Sequence, residues 1–543
     1  MQEITAYKPE NHIRIVTAAS LFDGHDAAIN VMRRILQSSG AEVIHLGHDR
    51  SVQEVVQCAI QEDVQAIAIT SYQGGHMEYF KYMYDLLQEA GCGHIRIFGG
   101  GGGVILPHEA EELHQYGIAR IYSPDDGRKM GLQGMINDLL RKADFEAGNL
   151  NGINAAVIRS GNVRAIASLI SAAENHPDKA KEITRELKQT CSTLSSPVLG
   201  VTGTGGAGKS SLVDELVRRF LLANPEKKLA ILSVDPTRRK SGGALLGDRI
   251  RMNAINSPQV FMRSMATRQA NLALSKYISD AVCIVKNAGF DLVILESSGI
   301  GQSDTEIVDY ADLSLYVMTP EYGAASQLEK IDMLDFADVI AINKSDKRGA
   351  ADALRDVKKQ FVRNHKRWDD EQDSLPVFAT RASQFNDAGV NRLFNHLISL
   401  MNAKAGKDFK TFEIGAGEEQ GASAIIPPSR VRYLSEISDT VRNYNALTDR
   451  LAKEAAELQS LEQAGSLLKK ESQDVPETIL RRMEALRKSL GEDHLAVIGS
   501  WEEKKKRFSD PEYSYRVRGK EIKVQTFTES LSHTRVPKIS MPR

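Results

Sequence analysis

Gly203-Thr-Gly-Gly-Ala-Gly-Lys-Ser210 follows the apolar run PVLGVT and precedes SLVDELVRRFLL, a segment of helical period. Strand, glycine-rich turn and helix in that order form the context of a phosphate-binding loop. The glycines let backbone N–H groups wrap an anion, and the helix N-terminus adds positive potential. Gly206, Ala207, Gly208, Lys209, Ser210 and Ser211 are therefore expected to contact a nucleotide. Lys209 would reach the outer phosphates as the catalytic cation, and the Ser210 hydroxyl would face Mg2+.

Working outward, the strand candidates LAILSV, LVILES, LSLYVMT, VIAIN and PVFATR continue a parallel α/β block from Pro197 to about Ala405. Ligands in open α/β sheets sit beyond the carboxyl ends of strands. At those ends stand Asp235, then Glu296 with Ser297, and all three are expected near Mg2+. Asp248 in GGALLGDRIRM is a further metal candidate on a switch segment, with Arg251 one turn later able to meet phosphate charge. Alone, each acid also reads as a helix cap or a surface charge. Asn343-Lys344-Ser345-Asp346 closes VIAIN, and a carboxylate in the base plane accepts both N1–H and N2–H of guanine, which adenine lacks. Asp346 thus predicts GTP over ATP. The Ala382 backbone N–H, after PVFAT, would lie near guanine O6. Gln302 is the candidate to orient the attacking water, in a turn whose placement the sequence leaves open.

Ahead of this block, IRIVTA, EVIHLG, AIAITS, IRIFGG and RIYS alternate with helical segments between Ile13 and about Asp144, which again implies βαβ units and a parallel sheet. The first strand runs into Leu21-Phe-Asp-Gly-His-Asp-Ala-Ala28, placing Asp23 and His25 at the carboxyl edge of that sheet. A lone loop histidine is ordinarily a surface residue. The intervening 145–195 reads as a polar, mostly helical connection ending in TCSTLSSP. Beyond 410, apolar residues from Val431 to Leu458 recur at steps of three and four. They read as a helix packed on its neighbours rather than a free coiled-coil seam, because Gly465 and Pro476 interrupt the repeat. From Asp510 the text turns strand-like, in YSYRVRGKEIKVQTFTES.

Composition bounds the rest. At about 150 residues per domain, the chain of 543 residues is expected to hold several. With 69 Lys plus Arg against 71 Asp plus Glu, it offers no bulk attraction to nucleic acid or to an acidic membrane. Its 4 cysteines are scattered without a Cys-x-x-Cys pair, and no apolar run is long enough to span a bilayer. A cytoplasmic protein is expected.

The words DPTRR, GGALLGDRIRM, ESSGIGQSD and NKSD resemble the G-protein chaperones that escort cobalamin to methylmalonyl-CoA mutase, with Ser297 and Ser298 where that family usually has Thr and Val. Asp23-x-His25-x-x-Ala28 resembles the Asp-x-His-x-x-Gly loop of cobalamin-binding domains, with alanine in place of glycine. That resemblance implies a flavodoxin-like domain in which His25 is the lower axial ligand of cobalt and Asp23 holds its other ring nitrogen. It also implies a slot for the cofactor's displaced nucleotide tail, lined by Ser71, Gly99 and Gly100, where a side chain would occupy the tail's volume; Tyr72-Gln73 departs from the leucine often found there.

The pairing of the two blocks resembles the fused isobutyryl-CoA mutases. In domains this implies cobalamin binding at 1–145, a helical linker at 146–195, a P-loop GTPase at 196–410, a second helical linker at 411–509, and at 510–543 the lead-in to an acyl-CoA barrel. Adenosylcobalamin, GTP and Mg2+ follow as cofactors. The partner implied is the substrate domain, in cis or as a separate subunit, and a homodimer is the expected assembly. The chain is expected to be the front half of such an enzyme, needing the barrel to interconvert isobutyryl-CoA and n-butyryl-CoA. A self-standing GTPase and cobalamin carrier serving a separate mutase is the alternative, and a corrinoid sensor is a more distant one.

Overall fold

Arg14–Ser20, apolar or small at most positions and buried throughout, forms strand β1 at the centre of the first sheet. Around it lie α1 (Asp26–Ser38), β2 (Glu42–Arg50), α2 (Val52–Gln61), β3 (Ala66–Thr70), α3 (His76–Glu89), β4 (Arg96–Gly100), α4 (Pro107–Tyr116), β5 (Arg120–Tyr122) and α5 (Pro124–Ala143). The computed structural model describes residues 4–238, 240–268, 274–299, 305–323, 328–369, 371, 374–412, 433–471, 473–517, 520–530 and 532–539. Gln302 lies outside them.

The first sheet is parallel, in the order β5-β4-β3-β1-β2, as in flavodoxin-like folds. Its connections put α1 and α5 over one face, with Ile15, Phe98, Ile136 and Leu140 in that core. The other face carries Val16, Ile67, Phe80 and Met83. Burial on both faces explains why these strands read as continuous apolar runs.

The second sheet is built from β6 (Val198–Gly203), β7 (Leu229–Asp235), β9 (Val260–Ala266), β10 (Leu292–Glu296), β11 (Leu313–Met318), β12 (Val339–Ile342) and β13 (Val377–Ala379). All seven strands run parallel, in the order β13-β12-β11-β6-β10-β7-β9. The segment expected as a connection is instead a layer of this domain. It folds into α6 (Ala155–Arg159), α7 (Val163–Asn175) and α8 (Pro177–Cys191), and α7 is buried from Ala165 to Glu174 against the sheet and α10 (Ile278–Asn287). Its small and apolar residues on every side leave no solvent face.

Sequence reading missed two strands. β9 carries Arg263 and Ser264 in its middle, and both are fully buried. β8 (Ala244–Leu246), from the segment expected as a switch, does not join the second sheet: it pairs parallel with β2, Glu42 against Ala244 and Ile44 against Leu246, as the sixth strand of the first. The two α/β domains thus share an edge.

Contacts divide the chain into two units, Met1–Ile425 and Ile426–Arg543. In the second, the helix Tyr433–Lys470 runs straight through Gly465 and packs on Glu477–Gly499 around Leu458, Leu486 and Leu490. Earlier members of the expected stripe, Ile437, Val441, Tyr444 and Leu447, are exposed. Glu512–Val517 and Lys520–Gln525 form an antiparallel pair in the strand-like tail. Among the described residues no helix is long and apolar enough to cross a membrane.

Candidate functional site

Two groups of side chains sit at the carboxyl ends of the two sheets. In the first, Asp23 is fully buried and accepts from the backbone N–H of Tyr72 at 2.7 Å and from that of His25 at 2.9 Å. Its Oδ1 also lies 2.8 Å from His25 Nδ1. A carboxylate accepts only, so Nδ1 carries the proton and Nε2 keeps its lone pair free for a metal. The His25 side chain is 64% exposed, which leaves that nitrogen open to a ligand. Burial works to raise the Asp23 pKa, but the two backbone donors and the imidazole outweigh it and hold the group below the ordinary carboxylate range. Asp23 therefore stays ionised and fixes the ring.

Beside this loop, an apolar cavity of about 70 Å3 is bounded by Ile29, Met32, Phe98, Gly100, Tyr122 and Leu139. Ser71 Oγ accepts from Ser20 Oγ at 2.9 Å, and the Ser71 N–H donates to Gly100 O at 2.9 Å, tying β1, β3 and β4 together at the edge. Gly99 and Gly100 both line this cavity, and the glycines of the run differ in what a side chain would meet. A Cβ on Gly99 would come within 2.5 Å of Phe80 and 2.6 Å of Ile121, on the face away from Phe98, and one on Gly101 would stand 1.9 Å from the Ser71 carbonyl oxygen. Only a Cβ on Gly100 finds ordinary room, 3.4 Å from Tyr122 O. Gly99 and Gly101 permit close packing of the domain itself.

In the second sheet, α9 (Lys209–Ala223) starts directly from Gly208, whose φ of +88° and 2.6 Å clearance to Asn343 Nδ2 exclude a side chain. Lys209 Nζ donates to Gly203 O at 3.1 Å inside the loop, and Ser211 is half-buried in the first turn. Asn343 Nδ2 donates to Ala207 O at 2.9 Å, and its Oδ1 accepts the Ala382 N–H at 3.0 Å, so one amide joins the phosphate loop to the base loop. Lys344 Nζ donates to Gly206 O at 2.8 Å, and the Ser345 N–H donates to Thr380 O at 3.1 Å. Asp346 is exposed at the mouth of this loop.

Ser210 Oγ is 2.9 Å from Asp248 Oδ1 and 2.9 Å from Glu296 Oε1. One hydroxyl carries one proton, so it can satisfy only one of the two acids. Asp248 Oδ2 accepts a second bond from Ser233 Oγ, while Asp235 Oδ2 and Glu296 Oε2 are buried without a partner. Burial first, and then the nearby Asp248 carboxylate, push the pKa values of Asp235 and Glu296 well above the ordinary range. Buried carboxylates crowded in this way are what a hard cation relieves. Mg2+ is bound through one or two carboxylates, a hydroxyl and phosphate oxygens, and Asp248, Glu296 and Ser210 offer the protein's share of that set. Ser297 is turned elsewhere, its hydroxyl 2.7 Å from that of Thr202. Arg251 is largely exposed, with Nη1 3.6 Å from Asp248.

Sequence reading did not foresee Ser233 or the two glutamates, Glu42 and Glu62, that reach this region from the first domain. Glu62 accepts from Arg249 Nε at 2.7 Å and from Ser264 N–H at 3.0 Å. Glu42 accepts from Arg14 Nε at 2.9 Å and from Arg268 Nε at 2.7 Å.

Comparison with known proteins agrees with this division. Residues 13–126 match the B12 binding domain, and residues 163–410 match the methylmalonyl-CoA mutase-associated GTPase MeaB. The chain is 52% identical to a fused isobutyryl-CoA mutase of Geobacillus kaustophilus, over 99% of its own length and 50% of the relative's. A second, from Cupriavidus metallidurans, is 52% identical over 98% of this chain and 49% of that protein. A third, from Nocardia farcinica, is 47% identical over 100% and 50%. The chain spans about half the length of the curated relatives it matches.

Proposed function

This chain belongs to the fused isobutyryl-CoA mutase family, and from that premise we propose that it carries adenosylcobalamin on His25 and hydrolyses GTP on the neighbouring domain, the second reaction controlling delivery or retention of the first cofactor. The observation that carries the reading is the His25 Nδ1 to Asp23 contact of 2.8 Å, in one compact unit with a P-loop whose Ser210 lies between two carboxylates.

Each residue has a task within it. Asp23 keeps the His25 tautomer whose Nε2 would be the cobalt ligand, and the apolar cavity beneath α1, with Thr70, Gly99 and Gly100 in its lining, is where the cofactor's nucleotide tail would enter. Bound there, adenosylcobalamin supplies the radical chemistry by which an acyl-CoA carbon skeleton is rearranged. Gly206 to Ser211 surround the phosphates. Lys209, now on Gly203 O, would reach the β- and γ-phosphates, Ser210, Asp248, Glu296 and Asp235 would supply oxygens for Mg2+, and Arg251 would meet phosphate charge. Asp346 accepts from guanine, and the Ala382 N–H approaches its O6. Isomerisation of isobutyryl-CoA and n-butyryl-CoA belongs to this chain together with an acyl-CoA-binding barrel, on the same polypeptide or another. A homodimer in the cytoplasm is the assembly and location proposed.

Transfer of cobalamin from the loaded chain to a separately supplied substrate domain tests the gating. Transfer with GTP is expected to exceed transfer without it by about tenfold or more, and Lys209→Ala is expected to abolish the difference. Equal transfer under all three conditions would remove the gating role.

A further inference from the structure

Asp248, one of the two carboxylates that face Ser210, is not held by the GTPase domain alone. Asp248 sits on a four-residue 3-10 turn, Asp248–Arg251, directly after β8, the strand that belongs to the other domain's sheet. Too short to fix a side chain by its own hydrogen bonds, such a turn takes its position from what anchors it. The anchor is the next residue. Arg249 is buried, and its guanidinium donates to Glu62 Oε1 at 2.7 Å, to Gln61 Oε1 at 2.9 Å and to Met262 O. Glu62 and Gln61 end α2 of the first domain. Glu62 also accepts from the N–H and hydroxyl of Ser264, which lies opposite Ser233 in the β7–β9 ladder, and Ser233 is the second donor to Asp248.

Asp235 has a parallel arrangement. Two residues after it, Thr237 Oγ1 accepts the backbone N–H of Arg268 at 2.8 Å, and Arg268 Nε donates to Glu42 Oε1 at 2.7 Å. Arg14, the first residue of β1, joins the two glutamates: Nε reaches Glu42 at 2.9 Å and Nη1 reaches Glu62 at 3.3 Å. Arg14, Glu42 and Glu62 are each 2% exposed or less. Ionised groups so deep persist only when their pairing is complete.

We infer that Glu42 and Glu62, on the cobalamin-type domain, are positioning residues for the cation site of the GTPase domain, acting through Arg268 and Arg249 to place the segments that carry Asp235 and Asp248. This rests on the proposed reading of that site as a Mg2+·guanine nucleotide site and adds that its metal affinity is set across the domain boundary. The nucleotide's base and phosphate loop do not depend on it, because Asn343, Ala382 and Gly206 are bonded within their own domain.

The test uses the full chain, with Mn2+ as an EPR-visible substitute for Mg2+ and a fluorescent GDP analogue as the nucleotide. Glu62→Gln is compared with Glu62→Gln/Arg249→Gln, which removes one buried charge of each sign and leaves Arg14 paired with Glu42. In both, Mn2+ affinity at the GDP-bound site is expected to fall at least tenfold, while GDP affinity in EDTA stays within twofold of the parent. The double variant is expected to recover the melting temperature without recovering Mn2+ affinity, which separates positioning from general stability. Mn2+ affinity within twofold of the parent in either folded variant would overturn the inference. Should neither fold, Arg249→Lys, which keeps the charge but loses the planar fork, is judged by the same criterion. A parent chain that binds no guanine nucleotide would instead defeat the underlying reading, and the inference with it.

Discussion

In the proposed reading Asp346 and His25 carry the two recognition steps, Asp346 by hydrogen bonds to the base and His25 by a free ring nitrogen. Asp346→Asn exchanges a double acceptor for an amide that offers one donor and one acceptor, the pattern complementary to xanthine rather than guanine. Charge-assisted hydrogen bonds contribute about 1.5–3 kcal/mol each, so GTP affinity is expected to fall by about 100-fold or more, with XTP gaining. Competition between the two nucleotides for the chain measures it. At this scale the Asp23–His25 contact was legible through the resemblance of its loop, and Asn343 and Asp346 through their place at a strand end. Ser297 was misplaced: its neighbour Thr202 lies 95 positions away, on β6.

Among the elements, β8 has the strongest consequence for function. It is held against the first sheet by three paired positions, by the Ala244 N–H to Ala41 O at 3.2 Å, and by Ser241 Oγ donating to Gln37 O at 3.1 Å. Gly243 allows this approach, since a Cβ there would stand 2.1 Å from Gln37 O and 2.9 Å from Ala41 O. Gly243→Ala is expected to destabilise the unit by ~1–3 kcal/mol, the usual cost of forcing an extra carbon into a packed site. Hydrogen exchange should show the loss at Glu42–Ile44 and Ala244–Leu246 before the P-loop helix. Neither β8 nor β9 could be read from sequence. β8 pairs with β2 of the other domain, a partner far away in the chain, and the run VFMRSMA is broken by Arg263 and Ser264, whose partners Glu174 and Glu62 lie 89 and 202 positions away. Legible strands such as β3 and β10 carry an unbroken apolar run, Ala66–Ile69 and Leu292–Leu295, with the polar residue only at the end. In α7 the apolar pattern was present, but its burial against α10 and the sheet depends on the fold.

At the scale of the whole molecule, two sets of buried acids oppose each other with pH. Glu42 and Glu62 are raised by burial but lowered further by their arginines, and end below the ordinary range. Their contribution is present above the unfolded carboxylate pKa and is lost as pH falls through the lower folded values. The domain boundary is therefore expected to survive moderate acid. Asp235 and Glu296 end above the ordinary range, so their contribution is full below the unfolded pKa and is lost as pH rises toward the raised values. Without divalent cation, the melting temperature of the unit Met1–Ile425 in the intact chain should fall across that rise, and Mg2+ with GDP should flatten the fall and release protons on binding. Scanning calorimetry at several pH values, with and without Mg2+·GDP, checks this. The central claim, that this chain takes cobalt on His25 while serving a guanine nucleotide next door, is tested most directly by EPR of bound cob(II)alamin in 15N-labelled protein. A superhyperfine doublet from a protein nitrogen, absent in His25→Ala, is predicted. A triplet from the cofactor's own unlabelled benzimidazole, unchanged in His25→Ala, would contradict it.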